Sequence, residues 1–331
     1  MSKTEAARPT PLGVRARDVR TRGRALLGAA LAAGRSVAAV AAVAGRPMVR
    51  TPVWPSPWVQ LNLAPATRDR SEAYAQLREI SHEFLDDGRV RNVFFMHKEP
   101  GLRARFEAAD PDPSPLRAAL LRRLKGSEAL RHAPVCAVYE PEHYLFGGRA
   151  SMPYVHGLFT ADSLAWLDHH LAAPGREGEL AAWRHSLLLL RECFTGLGIV
   201  GWEHRGVWEA VRERTGRGVR GAGPADPAAL AARQRAAEGI VSCWRAPREQ
   251  LLAAFPEERR TTLAAHADAA REAGERWRRG YFEAGSATVG PRAAAAYATV
   301  FHWNRGALST ARQGLLTDAL AEEGDHDAAH A

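Results

Sequence analysis

Val90-Arg91-Asn92-Val93-Phe94-Phe95-Met96-His97-Lys98-Glu99-Pro100-Gly101-Leu102-Arg103-Ala104-Arg105-Phe106 is the stretch that decides the fold. Val90 to Phe95 and Leu102 to Phe106 are rich in strand-forming residues, and Lys98-Glu99-Pro100-Gly101 between them is a turn signal, so two paired strands are predicted. Upstream, Trp58 to Leu63 alternates as a half-buried strand does, and Ser71 to Leu85 carries apolar residues at helical spacing behind Ser71 as a cap. Downstream, Pro113 to Leu124 reads as a helix and Pro134 to Tyr139 as a buried strand. The order strand, helix, strand, strand, helix, strand predicts a ferredoxin-like mixed sheet with helices on one face.

Beyond Thr160 the pattern turns helical. Thr160 is placed to cap a helix carrying Leu164, Leu167 and Leu171, and Ala181 to Cys193 is apolar enough for a buried helix. Arg212 to Pro227 is rich in glycine and proline and reads as a loop, after which helical spacing returns over Pro227 to Trp244, Glu257 to Phe282 and Pro291 to Leu308. The class is α+β, with a largely helical second half. Residues 1–50 hold ten Lys or Arg against Glu5 and Asp18, which is the whole formal net charge of +8. The chain thus divides into a basic, alanine-rich, poorly ordered arm over residues 1–51 and a single domain over 52–331, and the charge of the body gives no reason to expect nucleic acid. Arg35 interrupts the apolar run of the arm, which argues against a membrane span. Cys136, Cys193 and Cys243 form no paired motif, so no disulfide framework or zinc ribbon is predicted and a cytoplasmic setting is expected. Gly216 to Gly221 matches G-x-G-x-x-G, yet no strand precedes it, and the adjacent His169-His170 read as surface residues rather than metal ligands.

Several stretches carry a resemblance, in one order along the chain. They are Phe94-Phe95-Met96-His97-Lys98, Arg103-Ala104-Arg105, Tyr139-Glu140-Pro141-Glu142, Phe146-Gly147-Gly148, Leu158-Phe159-Thr160-Ala161-Asp162-Ser163 and His302-Trp303-Asn304-Arg305. Together they resemble the C-terminal elimination domain of lantibiotic dehydratases and its stand-alone relatives in thiopeptide antibiotic clusters. Where that family carries an arginine two residues before the paired glycines, this chain has Leu145, and the histidine that opens the family's His-x-Arg-x-Arg strand is absent before Arg103. Among relatives of this size, the departures favour the thiopeptide pyridine synthases, which join two dehydroalanines by a formal aza-[4+2] cycloaddition.

The resemblance implies a cofactor-independent, lyase-type macrocyclase acting on a linear precursor peptide that contains azoles and dehydroalanines and carries an acidic leader. No metal is implied, and a homodimer is one assembly open to it. His302 either handles protons or is a packed helical histidine; Arg305, three residues on, either stabilises an oxyanion or pairs with a carboxylate, and Tyr297 is the third catalytic candidate. Arg103 and Arg105 alternate onto one strand face and, with Glu140, Glu142 and His97, are the substrate-binding candidates. Two other functions stay open: glutamate elimination from glutamylated serine, and a non-catalytic peptide-binding subunit.

Overall fold

A computed structural model describes residues 56–98, 101–218, 226–285 and 287–322. The arm expected over residues 1–51 and residues 219–225 of the glycine-rich loop lie outside the described residues, and the first part of the expected loop, Arg212 to Thr215, is helical.

β1 (Trp58–Leu63), α1 (Ser71–Asp86), β2 (Val90–Lys98), β3 (Gly101–Ala108), α2 (Ser114–Arg123) and β4 (Val135–Ala137) follow in the expected order. They build one sheet in the order β2-β3-β1-β4 with antiparallel ladders, which is the ferredoxin-like arrangement. Strands run parallel only where one neighbour separates them. Residues directly opposite across the ladders share a face, so the pairing of Arg105 with Gln60 and Phe94, and of Arg103 with Asn62 and Met96, gives one face its polar residues. The other face is apolar through Val59, Leu61, Phe95, Ala104 and Phe106, and α1 supplies Tyr74, Leu77, Ile80 and Phe84 to the same core. Each fully buried Leu or Phe there contributes roughly 1.5–3 kcal/mol.

Two local expectations are corrected. Ser71 is the first helical residue, while the cap position belongs to Arg70 in a left-handed conformation (φ 63°), and the Ser71 hydroxyl donates to Asp69 Oδ1 at 2.8 Å. β4 is a three-residue edge strand with Val135 and Cys136 exposed, because it is paired only to β1; burial resumes at Tyr139.

The remainder is α3 (Met152–Ala172), α4 (Gly175–Gly196), α5 (His204–Thr215), α6 (Pro227–Arg245), α7 (Arg248–Ala253), α8 (Glu257–Trp277), α9 (Pro291–Arg305) and α10 (Thr310–Ala321). Thr160 does not cap a helix, since α3 starts at Met152 with Pro153 in its first turn. Thr160 and Ser163 instead accept the Val93 and Phe95 backbone N–H groups at 3.1 and 3.3 Å. β2 is the opposite edge of the sheet, and these hydroxyls satisfy edge donors that no strand pairs. A π-helical turn, Arg278–Phe282, follows α8 and brings the Tyr281 hydroxyl to the Gly147 carbonyl at 2.8 Å. That carbonyl belongs to the paired glycines, and a Cβ on Gly147 (φ 86°) would lie 2.1 Å from the same hydroxyl.

α4 and α8 cross closely at Gly196 and Gly274, where a Cβ on Gly274 would sit 2.5 Å from the Cys193 carbonyl oxygen. Gly274→Ala is expected to destabilise by about 1–3 kcal/mol, because the clash is with backbone and the helices must part. Gly239→Ala, exposed in α6 with nothing within 4 Å, is expected to stabilise by about 0.5–1 kcal/mol. Urea unfolding of the two variants checks both signs.

Candidate functional site

The site is assembled from the C-terminal end of α9. Within α9, His302 and Arg305 both reach back to Asp162 of α3, with His302 Nδ1 2.6 Å from Oδ1 and Arg305 Nε 2.6 Å from Oδ2. All three are buried. Burial raises the Asp162 pKa, but the His302 and Arg305 charges and hydrogen bonds outweigh it and hold the carboxyl below its ordinary value. An ionised Asp162 makes Nδ1 of His302 the donor, so the Trp166 indole N–H, 3.1 Å from the same nitrogen, loses that acceptor. On the other side of the ring, Nε2 lies 2.9 Å from Ser186 Oγ, which itself accepts the Trp303 indole N–H at 3.0 Å. The Arg305 guanidinium also lies 4.3 Å over the Phe159 ring, and its Nη1 is buried without a hydrogen-bond partner.

Helix ends leave backbone carbonyls unsatisfied. Here the Asn304 carbonyl accepts from His97 Nδ1 at 2.8 Å and the Arg305 carbonyl from His170 Nε2 at 2.9 Å. Those contacts fix both tautomers: His97 keeps Nε2 as an acceptor, and it takes the Tyr74 hydroxyl at 2.6 Å. Tyr74 stacks on His170 with centroids 4.5 Å apart and planes 12° off parallel. Burial, aided by the neighbouring His170, lowers the His97 pKa to about 3, and burial lowers that of His170 to about 4. Burial likewise raises the Tyr74 phenol. Neutral imidazoles and a neutral phenol therefore stand together at neutral pH.

Tyr74 and His170 line a cavity of about 480 Å³ with Arg68, Arg70, His169 and Ala307. Arg70 (φ 63°) and Ala307 (φ 52°) are the non-glycine residues with positive φ among the described residues, and both border this cavity. Strain of that kind persists where surrounding structure over-determines it and gathers at functional sites. The cavity is the candidate active site.

The candidates read from sequence separate into three groups. His97 stands behind the cavity wall, against the Tyr74 hydroxyl, and His302 and Arg305 sit farther back on Asp162. Arg105 is buried on the polar sheet face, donates to Gln60 Oε1 at 2.8 Å and lies 4.8 Å from the Tyr139 ring; burial pulls its pKa down. Arg103 beside it is half-buried with Nε unpartnered. Glu142 is half-buried and acts on Arg105 electrostatically, Glu140 is exposed, and Tyr297 packs its ring 6.5 Å from Phe146. Leu145 packs against the core. Tyr74 and Ser186 were not named from the sequence, Asp162 entered only within the stretch Leu158 to Ser163, and His170 was read as a surface residue. His169 and His170 are not surface residues: His169 is 2% exposed and His170 half-buried, since α1 and α4 flank this end of α3. The apolar character of α3 around its whole circumference was the signal that a polar residue on it would be enclosed. Among the described residues, no group of three His, Cys, Asp or Glu could hold a metal ion, and no helix is long and apolar enough to cross a membrane.

The chain belongs to the family described as lantibiotic biosynthesis dehydratase C-term, which matches residues 58–322. The crystal structure of the tRNA-dependent lantibiotic dehydratase MibB from Microbispora sp. 107891 is similar, with a TM-score of 0.58 at 17% identity, over 86% of this chain and 29% of that one. This chain thus spans less than a third of the length of MibB, and the likeness is one of fold. The crystal structure of TsrL matches over 82% of this chain and 96% of that one at 16% identity, with a TM-score of 0.47. No curated protein matches the chain.

Asp162→Asn is expected to lose about 3–5 kcal/mol, because it leaves the Arg305 charge buried without its partner, and Arg305→Met added to it is expected to recover part of the loss. Urea unfolding of the single and double variants measures both. The lowered histidine pKa values of His97, His156, His169 and His170 set an acid limit as well. Depressed values in the fold mean that the unfolded chain takes up protons first, so stability present above about pH 6.5 is lost as the pH falls toward about 4. Unfolding curves between these limits should show a proton uptake of more than one, which His97→Phe reduces.

Proposed function

We propose that the chain is a pyridine synthase of thiopeptide biosynthesis, acting as one catalytic domain over residues 52–331 on a precursor peptide that carries azoles, two dehydroalanines and an acidic leader. The observation that carries this reading is the neutral Tyr74–His170 pair on the wall of a cavity large enough for a folded-back peptide segment, with His97 behind Tyr74. Leu145, where elimination relatives carry an arginine, adds weight. The reading needs no cofactor, and it places the enzyme in the cytoplasm.

The first step moves a proton from nitrogen to oxygen within one amide, turning it into an imidic acid without a change of net charge. A neutral imidazole beside a neutral phenol suits that transfer: the Tyr74 hydroxyl turns from His97 Nε2 and protonates the carbonyl oxygen while His170 Nδ1 takes the N–H proton, and passage of that proton from His170 to the Tyr74 oxygen restores both. The resulting 2-azadiene adds across the second dehydroalanine, forming two carbon–carbon bonds. Loss of water and then of the leader as a carboxamide makes the ring aromatic. Holding the two alkenes together supplies the rest, since oriented intramolecular reactions gain up to roughly 7–11 kcal/mol. His302 and Arg305 act in this scheme by positioning α9, and Arg103 and Glu142 hold peptide along the sheet face, with Arg105 buried behind them on Gln60. Glutamate elimination is the second reading, favoured by Arg68 and Arg70 at the same cavity, whose guanidinium groups suit a glutamyl carboxylate.

Incubation with a leader-bearing azole peptide containing two spaced dehydroalanines, followed by mass spectrometry, tests the reading. A pyridine-containing macrocycle with release of the leader carboxamide is the expected result. Tyr74→Phe and His170→Ala should each lower kcat about 10²-fold. Glutamate loss from a glutamylated peptide without turnover of the dehydroalanine peptide would replace this reading with elimination.

A further inference from the structure

The cavity bordered by Tyr74 and His170 carries a charge that a proton shift within an amide does not use. Among the described residues lining it, the guanidinium groups of Arg68, Arg70 and Arg312 stand against the one carboxylate of Asp69, a net charge of +2, since His169 and His170 are neutral there. Arg78, Arg89 and Arg123 around α1 each hold a carboxylate. Arg68 and Arg70 form no such ion pair among the described residues, and Asp69 accepts from the Ser71 hydroxyl at 2.8 Å. Arg68 is exposed and Arg70 half-buried, so both can be reached from solvent. The charge of Arg70 falls on the Tyr74 phenol, where it opposes the larger effect of burial, so an anion held by Arg70 stands beside the reacting pair.

We infer that Arg68 and Arg70 receive a side-chain carboxylate of the bound peptide, which stays on the peptide and fixes it against Tyr74 and His170. Guanidinium forks match the two oxygens of a carboxylate and hold it by charge-assisted hydrogen bonds. Helices α1 and α4 begin on the same wall, at Ser71 and Gly175, and no side chain caps either one, so their positive ends add to the attraction. A free inorganic anion would leave Pro174 and Leu308, which border the same space, against water, whereas a peptide covers them. A carboxylate held here serves position alone; glutamate elimination would expel it. The inference rests on the peptide-modifying reading only for the source of the carboxylate.

The test titrates the full chain with three probes, N-acetyl-glutamyl N-methylamide, its glutamine counterpart and inorganic phosphate, by ligand-observed NMR at about 20 and about 200 mM salt. Saturable binding of the glutamate probe is expected, at least about tenfold tighter than that of the glutamine probe and weaker at the higher salt. Arg68→Gln combined with Arg70→Gln is expected to lower that affinity about tenfold. Arg214→Gln, exposed on α5, is expected to bind like the parent chain, which separates the cavity from basic residues elsewhere. No saturable binding, equal binding of the two peptide probes, or an equal loss in Arg214→Gln overturns the inference. Tighter binding of phosphate than of the glutamate probe also overturns it, in favour of a free anion. The comparison of glutamate with glutamine on the wild-type chain decides even if the double variant does not fold. Binding of the glutamate probe by a chain that leaves the dehydroalanine peptide unchanged would remove the proposed chemistry and leave the subsite standing.

Discussion

Everything at the candidate site depends on the carboxylate of Asp162 being shared by His302 and Arg305. Burying that charge is unfavourable, and two partners on one helix, three residues apart, compensate it. The same contact fixes the rotation and height of α9 against α3, because both oxygens are used by a single turn of α9. The carbonyls of Asn304 and Arg305 are then held where His97 of β2 and His170 of α3 can reach them. A buried ion pair is thereby linked, through the unsatisfied end of a helix, to the tautomers of the two imidazoles that neighbour Tyr74.

Neutrality follows from the same construction. His97 and His170 each spend one nitrogen on a backbone carbonyl, which favours the protonated ring, yet desolvation is the larger effect and drives both pKa values down. A cationic imidazole beside Arg70 would add a like charge, which pushes in the same direction. Tyr74 and His170 therefore offer hydrogen-bond donors and acceptors without charge, on a wall whose formal charges are those of Arg68, Asp69, Arg70 and Arg312. A proton shift within a neutral amide is matched to the uncharged pair.

The sheet was legible in the sequence because its signals are local: the hairpin at residues 90–106 has strand residues on both sides of a turn, and the alternation in Trp58 to Leu63 survives in the register. The failures share one cause, which is that burial of a polar residue is decided by elements distant in sequence. Thr160 looked like a cap, but its neighbour in space is an unpaired strand edge nearly seventy residues upstream. His170 looked like a surface residue because its partner carbonyl lies on α9. The family signature His302-Trp303-Asn304-Arg305 drew notice to the right helix, while the groups that reach the cavity from it are backbone carbonyls, which no side-chain motif displays. α10 was missed because the reading ended its last helix at Leu308, ahead of Thr310–Ala321.

Asp162, His302 and Ser186 invite comparison with an acid–base–nucleophile triad, since the carboxylate meets one ring nitrogen at 2.6 Å and the hydroxyl meets the other at 2.9 Å. Geometry alone does not make the hydroxyl a nucleophile; a triad is defined by roles as well as by distances. Ser186 is wholly buried and already accepts the Trp303 N–H, and the space bordering Asp162 and His302 amounts to about 20 Å³, which is of the order of one water. No acyl group can reach that oxygen without opening the helical core. Arg305, moreover, holds the second carboxylate oxygen, so the charge that would stabilise an imidazolium is already committed to a guanidinium. The triad-like set is thus the fastening of α3, α4 and α9, and proton transfer belongs to the neutral groups that this fastening holds at the cavity.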